Sequence, residues 1–286
     1  MRHSIYSLLL YAVIFSGCLG SKNLHKKTTF NPEIGVCTSM SNALTLSGQG
    51  YQYIEESVGN LLMPLKSDEE FAVNLEKTKQ LPVPLVACNG FLPGNLKSVG
   101  PAAVHDQILQ FAEVAFRRAK QTGVRIIVFG SGGSRSIPSG FSKDSAFIQF
   151  INLCKKLGPV AAKYQVTLVI EPLNTTEVNF INSLAEGAKV VNETNHPNIK
   201  LLADIYHMLK ENEAPEEIIK YRKMIVHAHV AEKNGRAVPG THNEDLSPYY
   251  AAFKKIGYKG MISIEGRWEN MEQQGKRALE VMRSQF

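Results

Sequence analysis

Only four cysteines occur in the 286 residues, Cys18, Cys37, Cys88 and Cys154, and no two of them form a CxxC pair. A thiolate zinc site is therefore not expected, and the spacings match no disulfide scaffold, so Cys37, Cys88 and Cys154 read as packed thiols. A strong charge imbalance is also missing. The formal net charge is +6, with basic residues scattered over helices rather than drawn into a stripe, and no nucleic-acid partner is implied. No GxxxxGK run followed by Ser or Thr occurs, which removes the nucleotide P-loop. There is no low-complexity segment and no internal repeat beyond a strand-plus-helix unit. The apolar run from Ile5 to Phe15 is shorter than the roughly 20 residues a membrane-spanning helix needs.

The beginning of the chain does carry a pattern. MRHSIYSLLLYAVIFSGC joins a basic start, an apolar run and small residues before a cysteine, which reads as an export signal over residues 1–18. Its ending, Phe15-Ser16-Gly17-Cys18, resembles a bacterial lipobox, with Phe15 in place of the usual Leu. The expectation is an exported, periplasmic protein whose only membrane attachment is a lipid on Cys18. Residues 19–31 are polar and aperiodic and suit a tether, leaving residues 32–286 for the folded domain.

From there apolar strand-like runs alternate with helical stretches. Strands are expected near 33–38, 51–57, 84–88, 125–129, 167–171, 199–204, 224–230 and 259–265. Helices are expected near 41–47, 68–80, 105–122, 143–164, 182–193, 211–223, 248–256 and 270–284. Ser67 or Asp68 suits the start of the second helix, and Gly123 the end of the third. Eight strands alternating with helices predict an α/β fold, a single closed (β/α)8 TIM barrel, which commonly needs about 250 residues.

Four of the runs end in side chains that bind divalent metals: TLVIE at Glu171, IKLLAD at Asp204, IVHAH at His229 and MISIE at Glu265. In a parallel barrel the C-terminal ends of all strands share one mouth, so these four groups converge there. Period-2 alternation agrees. If Glu171 points inward then so does Val169, while Leu168 and Ile170 face the helices; Ser263 shares the face of Glu265, and His227 lies one layer below His229. Three carboxylates with one imidazole favour Mn²⁺, Mg²⁺ or Co²⁺, with Zn²⁺ left open. The glycine-rich loop 129–141 could approach an anion or sugar through its backbone, with Arg135 holding a phosphate or hydroxyl. Asn89, after the third strand, is a further hydrogen-bonding candidate. Glu55 and Glu56 end the second strand, and neither is assigned a role.

The strings VIEPLNTTE, LLADIYHM, HAHVAEKNGRAVPG and MISIEGRW resemble the sugar phosphate isomerase/epimerase superfamily with the xylose-isomerase-like TIM barrel, which includes ketose 3-epimerases. The resemblance implies that Glu171, Asp204, His229 and Glu265 bind one divalent metal ion. It also implies that Glu177, His207 and Arg236 contact the hydroxyls of a small-molecule carbohydrate substrate, and that homo-oligomers are common. The implied activity is isomerisation or epimerisation of a ketose or keto-sugar derivative, with Glu171 and Glu265 as acid and base on opposite faces. The alternative is a lyase or hydratase acting on a keto-sugar, such as a 3-keto-glycoside or its 2-hydroxyglycal, by the same enolisation.

Overall fold

The computed structural model describes Met1 and residues 30–286. The expected signal segment beyond Met1, Cys18 and the expected tether up to residue 29 lie outside the described residues. Eight parallel strands form a closed barrel in sequence order: β1 (Ile34–Cys37), β2 (Tyr53–Ser57), β3 (Leu85–Asn89), β4 (Ile126–Phe129), β5 (Thr167–Ile170), β6 (Ile199–Asp204), β7 (Ile225–Val230) and β8 (Met261–Ile264). The ring closes where Ile34 of β1 pairs with Ile262 of β8. Each strand lies within the stretch expected for it or differs by a residue or two at its ends.

Alternation along the strands divides the core into two parts. Tyr53, Ile126, Val128, Val169, Leu202 and Met261 pack together inside the barrel. Leu168, Ile170, Ala228, Ile262 and Ile264 belong to the larger layer between strands and helices, the partition that period 2 predicts. Cys37, Cys88 and Cys154 are unbridged. No helix among the described residues is long and apolar enough to cross a membrane.

Helix ends follow local chemistry. The helix Asp68–Thr78 opens on a reciprocal capping box, in which the Ser67 side chain accepts from Glu70 N–H and the Glu70 carboxylate accepts from Ser67 N–H. The helix His105–Thr122 ends at Gly123, whose φ of 84° completes a left-handed cap.

Two local expectations are corrected. The helix expected over 211–223 is instead two short helices, Ile205–Lys210 and Glu216–Lys220. Asp204 starts the first directly at the strand end by accepting from Tyr206 N–H at 2.7 Å, and Asn212 at φ 54° with Pro215 separates the two. The glycine-rich loop is not an open cradle of backbone N–H groups. It folds into a helical turn, Gly132–Arg135, whose amides at Ser134, Arg135 and Ser136 donate to Ser131 and Gly132 carbonyls.

Candidate metal centre

β5, β6, β7 and β8 deliver Glu171, Asp204, His229 and Glu265 to one point at the C-terminal mouth. One potential ligand atom from each lies within 4.8 Å of the others. His229 Nδ1 is 3.0 Å from Glu171 Oε1 and 3.3 Å from Glu265 Oε2. Side-chain exposure rises from 0% at His229 and 1% at Asp204 through 6% at Glu171 to 22% at Glu265, so the approach from solvent runs past Glu265. Gly130, at the end of β4, leaves room for Glu171, since a Cβ there would collide with Glu171 Oε2.

Two features of the cluster suit a divalent cation. Asp204 Oδ2 is buried with no hydrogen-bond partner; the Arg236 guanidinium faces it at 3.7 Å but does not hydrogen-bond it, which leaves a lone pair free for a cation. Burial also pushes the Asp204 carboxyl up to about 6, although Arg236 and His229 oppose the shift, and burial together with neighbouring Glu265 pushes Glu171 up. Burial acts against charge on His229, yet the surrounding acids, Glu55 foremost, outweigh it and hold its ring well above the usual imidazole range. Burial acts against ionised Glu265 too, and His229 and Arg236 overcome it, holding that carboxyl down to about 2. The surroundings thus favour positive charge among these acids, and the oxygen-rich donor set with one imidazole suits a divalent cation.

The remaining predicted residues separate into three groups. Glu177, His207 and Arg236 ring the cluster. Arg236 donates through NH2 to the Glu265 carboxylate and through Nε to the Glu265 carbonyl at 3.2 Å, reaches Glu177 Oε1 at 3.4 Å, and lies over the Tyr206 ring at 4.7 Å. Its backbone is left-handed, φ 54°, and its carbonyl accepts from Arg267 N–H at 2.7 Å, which fixes that loop against the end of β8. His207 Nδ1 accepts from Asn174 N–H at 3.0 Å, leaving Nε2 unpartnered and 3.5 Å from Asp204 Oδ2. Burial lowers its pKa, so the ring is a neutral donor through Nε2. Asn89 stands at the mouth and donates to Glu265 Oε1 at 2.9 Å, which orients that carboxylate.

Arg135 forms the third group by itself and is corrected. Its side chain is fully buried, and its guanidinium donates to the carbonyls of Phe129 at 3.0 Å and Glu171 at 2.6 Å. Burial lowers its pKa to about 10. It is a pin between β4 and β5, its guanidinium directed at main-chain carbonyls.

Sequence reasoning left two residues of the site without a role. Asn174 holds both His207 and Glu177, donating to the latter at 2.9 Å. Glu55 lies beneath His229 and accepts from its Nε2 at 3.0 Å. Alternation along β2 carries the signal for Glu55, because it shares the inward face of Tyr53. Glu56, on the other face, is taken up by the amides of Met40 and Ser57.

The profile of the xylose isomerase-like TIM barrel family matches residues 46–285. Among relatives of known activity, an L-ribulose 3-epimerase of Methylomonas sp. (strain DH-1) is 32% identical over 112 residues, 39% of either chain. A 3-dehydro-D-guloside 4-epimerase of Escherichia coli (strain K12) is 29% identical over 112 residues, 39% of this chain and 42% of its own. The chain thus spans about two fifths of the length of these two relatives. A D-psicose 3-epimerase of Enterocloster bolteae is 25% identical over 226 residues, 77% of this chain and 74% of its own. In three dimensions, a 3-keto-D-glucoside 4-epimerase from E. coli superposes with a TM-score of 0.74 at 20% identity, covering 89% of this chain and all of that one. The barrel, the profile over most of the chain and the shared architecture agree: the chain belongs to the xylose isomerase-like TIM barrel family.

Proposed function

We propose that this protein is a divalent-metal-dependent isomerase or epimerase of a ketose or keto-sugar derivative. The observation that carries the reading is the convergence of Glu171, Asp204, His229 and Glu265 donor atoms within 4.8 Å at one barrel mouth. The epimerases among its relatives give independent support.

Glu171, Asp204, His229 and Glu265 would hold the cation. When bound, a divalent cation polarises a coordinated carbonyl and so acidifies the adjacent C–H. The chain's own groups do the rest. Glu171 and Glu265 sit at the ends of β5 and β8, across the mouth from each other, so one removes the proton from one face of the substrate and the other returns it on the opposite face. Arg236 and neutral His207 donate hydrogen bonds to oxygens that gain charge as the C–H is broken. Glu177, at the more exposed rim, accepts from sugar hydroxyls. A single carboxylate working on one face would instead shift the carbonyl, the isomerase outcome, or expel or add water, the lyase or hydratase outcome.

Incubation of the Mn²⁺-loaded protein with ketoses and 3-keto-glycosides in D₂O, followed by product NMR, separates the outcomes. Deuterium beside the carbonyl with inversion, or with a shifted carbonyl, is expected; deuterium without either, together with loss or gain of water, would transfer the assignment to the lyase or hydratase. Glu171→Gln should lower turnover by roughly 10²- to 10⁴-fold, the usual share of acid–base catalysis, with an unchanged circular dichroism spectrum. Turnover equal to wild type would remove the proposed role of Glu171.

A further inference from the structure

Beneath the cation cluster the barrel interior carries a polar chain that the proposed reaction does not use. Its centre is Glu55 on β2, fully buried. Glu55 Oε1 accepts from His229 Nε2 at 3.0 Å, and Oε2 accepts from His227 Nε2 at 2.8 Å and from Ser263 Oγ at 2.6 Å. Ser263 Oγ lies 2.9 Å from Tyr53 OH, so with the serine proton directed to Glu55 the tyrosine donates to the serine. Tyr53, His227, His229 and Ser263 are all fully buried as well. A carboxylate removed from water in this way persists only with several donors around it, and here three side chains from β7 and β8 supply them.

The arrangement has a direction. An imidazole that gives one N–H to a carboxylate presents its other nitrogen as a fixed lone pair of increased basicity, the pattern by which supporting groups tune metal-binding histidines. Because Glu55 takes Nε2–H of His229, Nδ1 is the nitrogen aimed at Glu171 and Glu265, and it would offer its lone pair once a cation displaces the proton held there. We propose that Glu55, braced by His227 and Ser263, is the positioning residue of the cation centre: it fixes which nitrogen of His229 faces the mouth and strengthens that nitrogen as a ligand. Tyr53 and Ser263 limit its movement from below. The inference rests on the metal-centre reading given above.

Titration of the purified metal-free protein with MnCl₂ in a calorimeter tests it. Wild type should bind one Mn²⁺ per chain, and Asp204→Asn, which removes a proposed ligand, should bind none tightly. Glu55→Gln should keep the circular dichroism spectrum and weaken Mn²⁺ binding by roughly 10- to 100-fold, the usual effect of losing such a supporting partner. Ser263→Ala removes only the brace and leaves the charge in place, so it keeps the test decisive if Glu55→Gln does not fold; it should weaken Mn²⁺ in the same direction by a smaller factor. If the variants lose thermal stability but bind Mn²⁺ as wild type does, the role of Glu55 is structural only and the inference fails while the metal centre stands. Failure of wild type to bind Mn²⁺ overturns both. A second Mn²⁺ in wild type that Glu55→Gln abolishes also overturns the inference, since Glu55 would then be a ligand itself.

Discussion

A residue type does not reveal which way its side chain points, and Arg135, in the helical turn after β4, and Glu55, within β2, show the two consequences. Arg135 stands in a glycine-rich loop at the mouth, where a cation suggests a ligand for anions. Yet it turns inward to the Glu171 carbonyl, for which it is the donor, and to the Phe129 carbonyl, which it shares with the Glu171 N–H. Replacing it should therefore act on the fold. Arg135→Ala orphans the buried Glu171 carbonyl, at about 1 to 3 kcal/mol, and removes one of two donors to Phe129, so it should lower the urea midpoint. The substrate KM of the protein that remains folded should stay as in wild type, and a raised KM with unchanged stability would return Arg135 to the substrate. Glu55 errs in the other direction. Its alternation with Tyr53 places it inside the barrel, but its value comes from His227, His229 and Ser263, which are distant in the chain and become its partners only through barrel closure. The convergence of the four proposed ligands was legible because each lies within a residue of its strand's C-terminal end, a position that needs no knowledge of neighbours.

Elements were legible wherever the signal was local. The capping box at Ser67 and the glycine after Thr122 mark helix ends that the structure reproduces. The segment after β6 was harder, because Asp204 both ends a strand and caps a helix, and the expected helix began several residues late. That segment also contains a titratable joint. Glu213 lies half-buried between the two short helices; burial raises its carboxyl from 4.5 to about 7, and the Leu184 N–H that it accepts at 2.8 Å only partly offsets this. A carboxyl with a raised folded pKa keeps its proton better in the folded chain than in the unfolded one. Its contribution to stability accordingly falls as pH rises from about 4.5 to about 7 and is constant above. Glu213→Gln keeps an acceptor for Leu184 and removes the titration. The loss of stability between pH 4.5 and 7.5, measured by urea unfolding, should be smaller in this variant than in wild type, and identical curves would refute the assignment.

For the molecule as a whole, the barrel order follows from the alternation of strands and helices, while closure of the ring follows from nothing local. The proposed cation centre draws its groups from four strands, so a bound ion should stabilise the folded chain against the unfolded one. At a free Mn²⁺ concentration 100 times the dissociation constant, linkage gives about 2.7 kcal/mol. For a domain of this size that corresponds to a rise of roughly 5 to 10 °C in Tm. Scanning calorimetry with and without Mn²⁺ measures it, and Asp204→Asn should abolish the rise; an equal rise in that variant would place the ion elsewhere.

β1 pairs directly with β8, and Glu265 immediately follows β8. A nascent chain that has left the ribosome only as far as β7 therefore has two open sheet edges and lacks the third acid of the cluster. Open edges invite pairing with other chains, so the period of synthesis before β8 emerges is when this protein most needs the help of a chaperone.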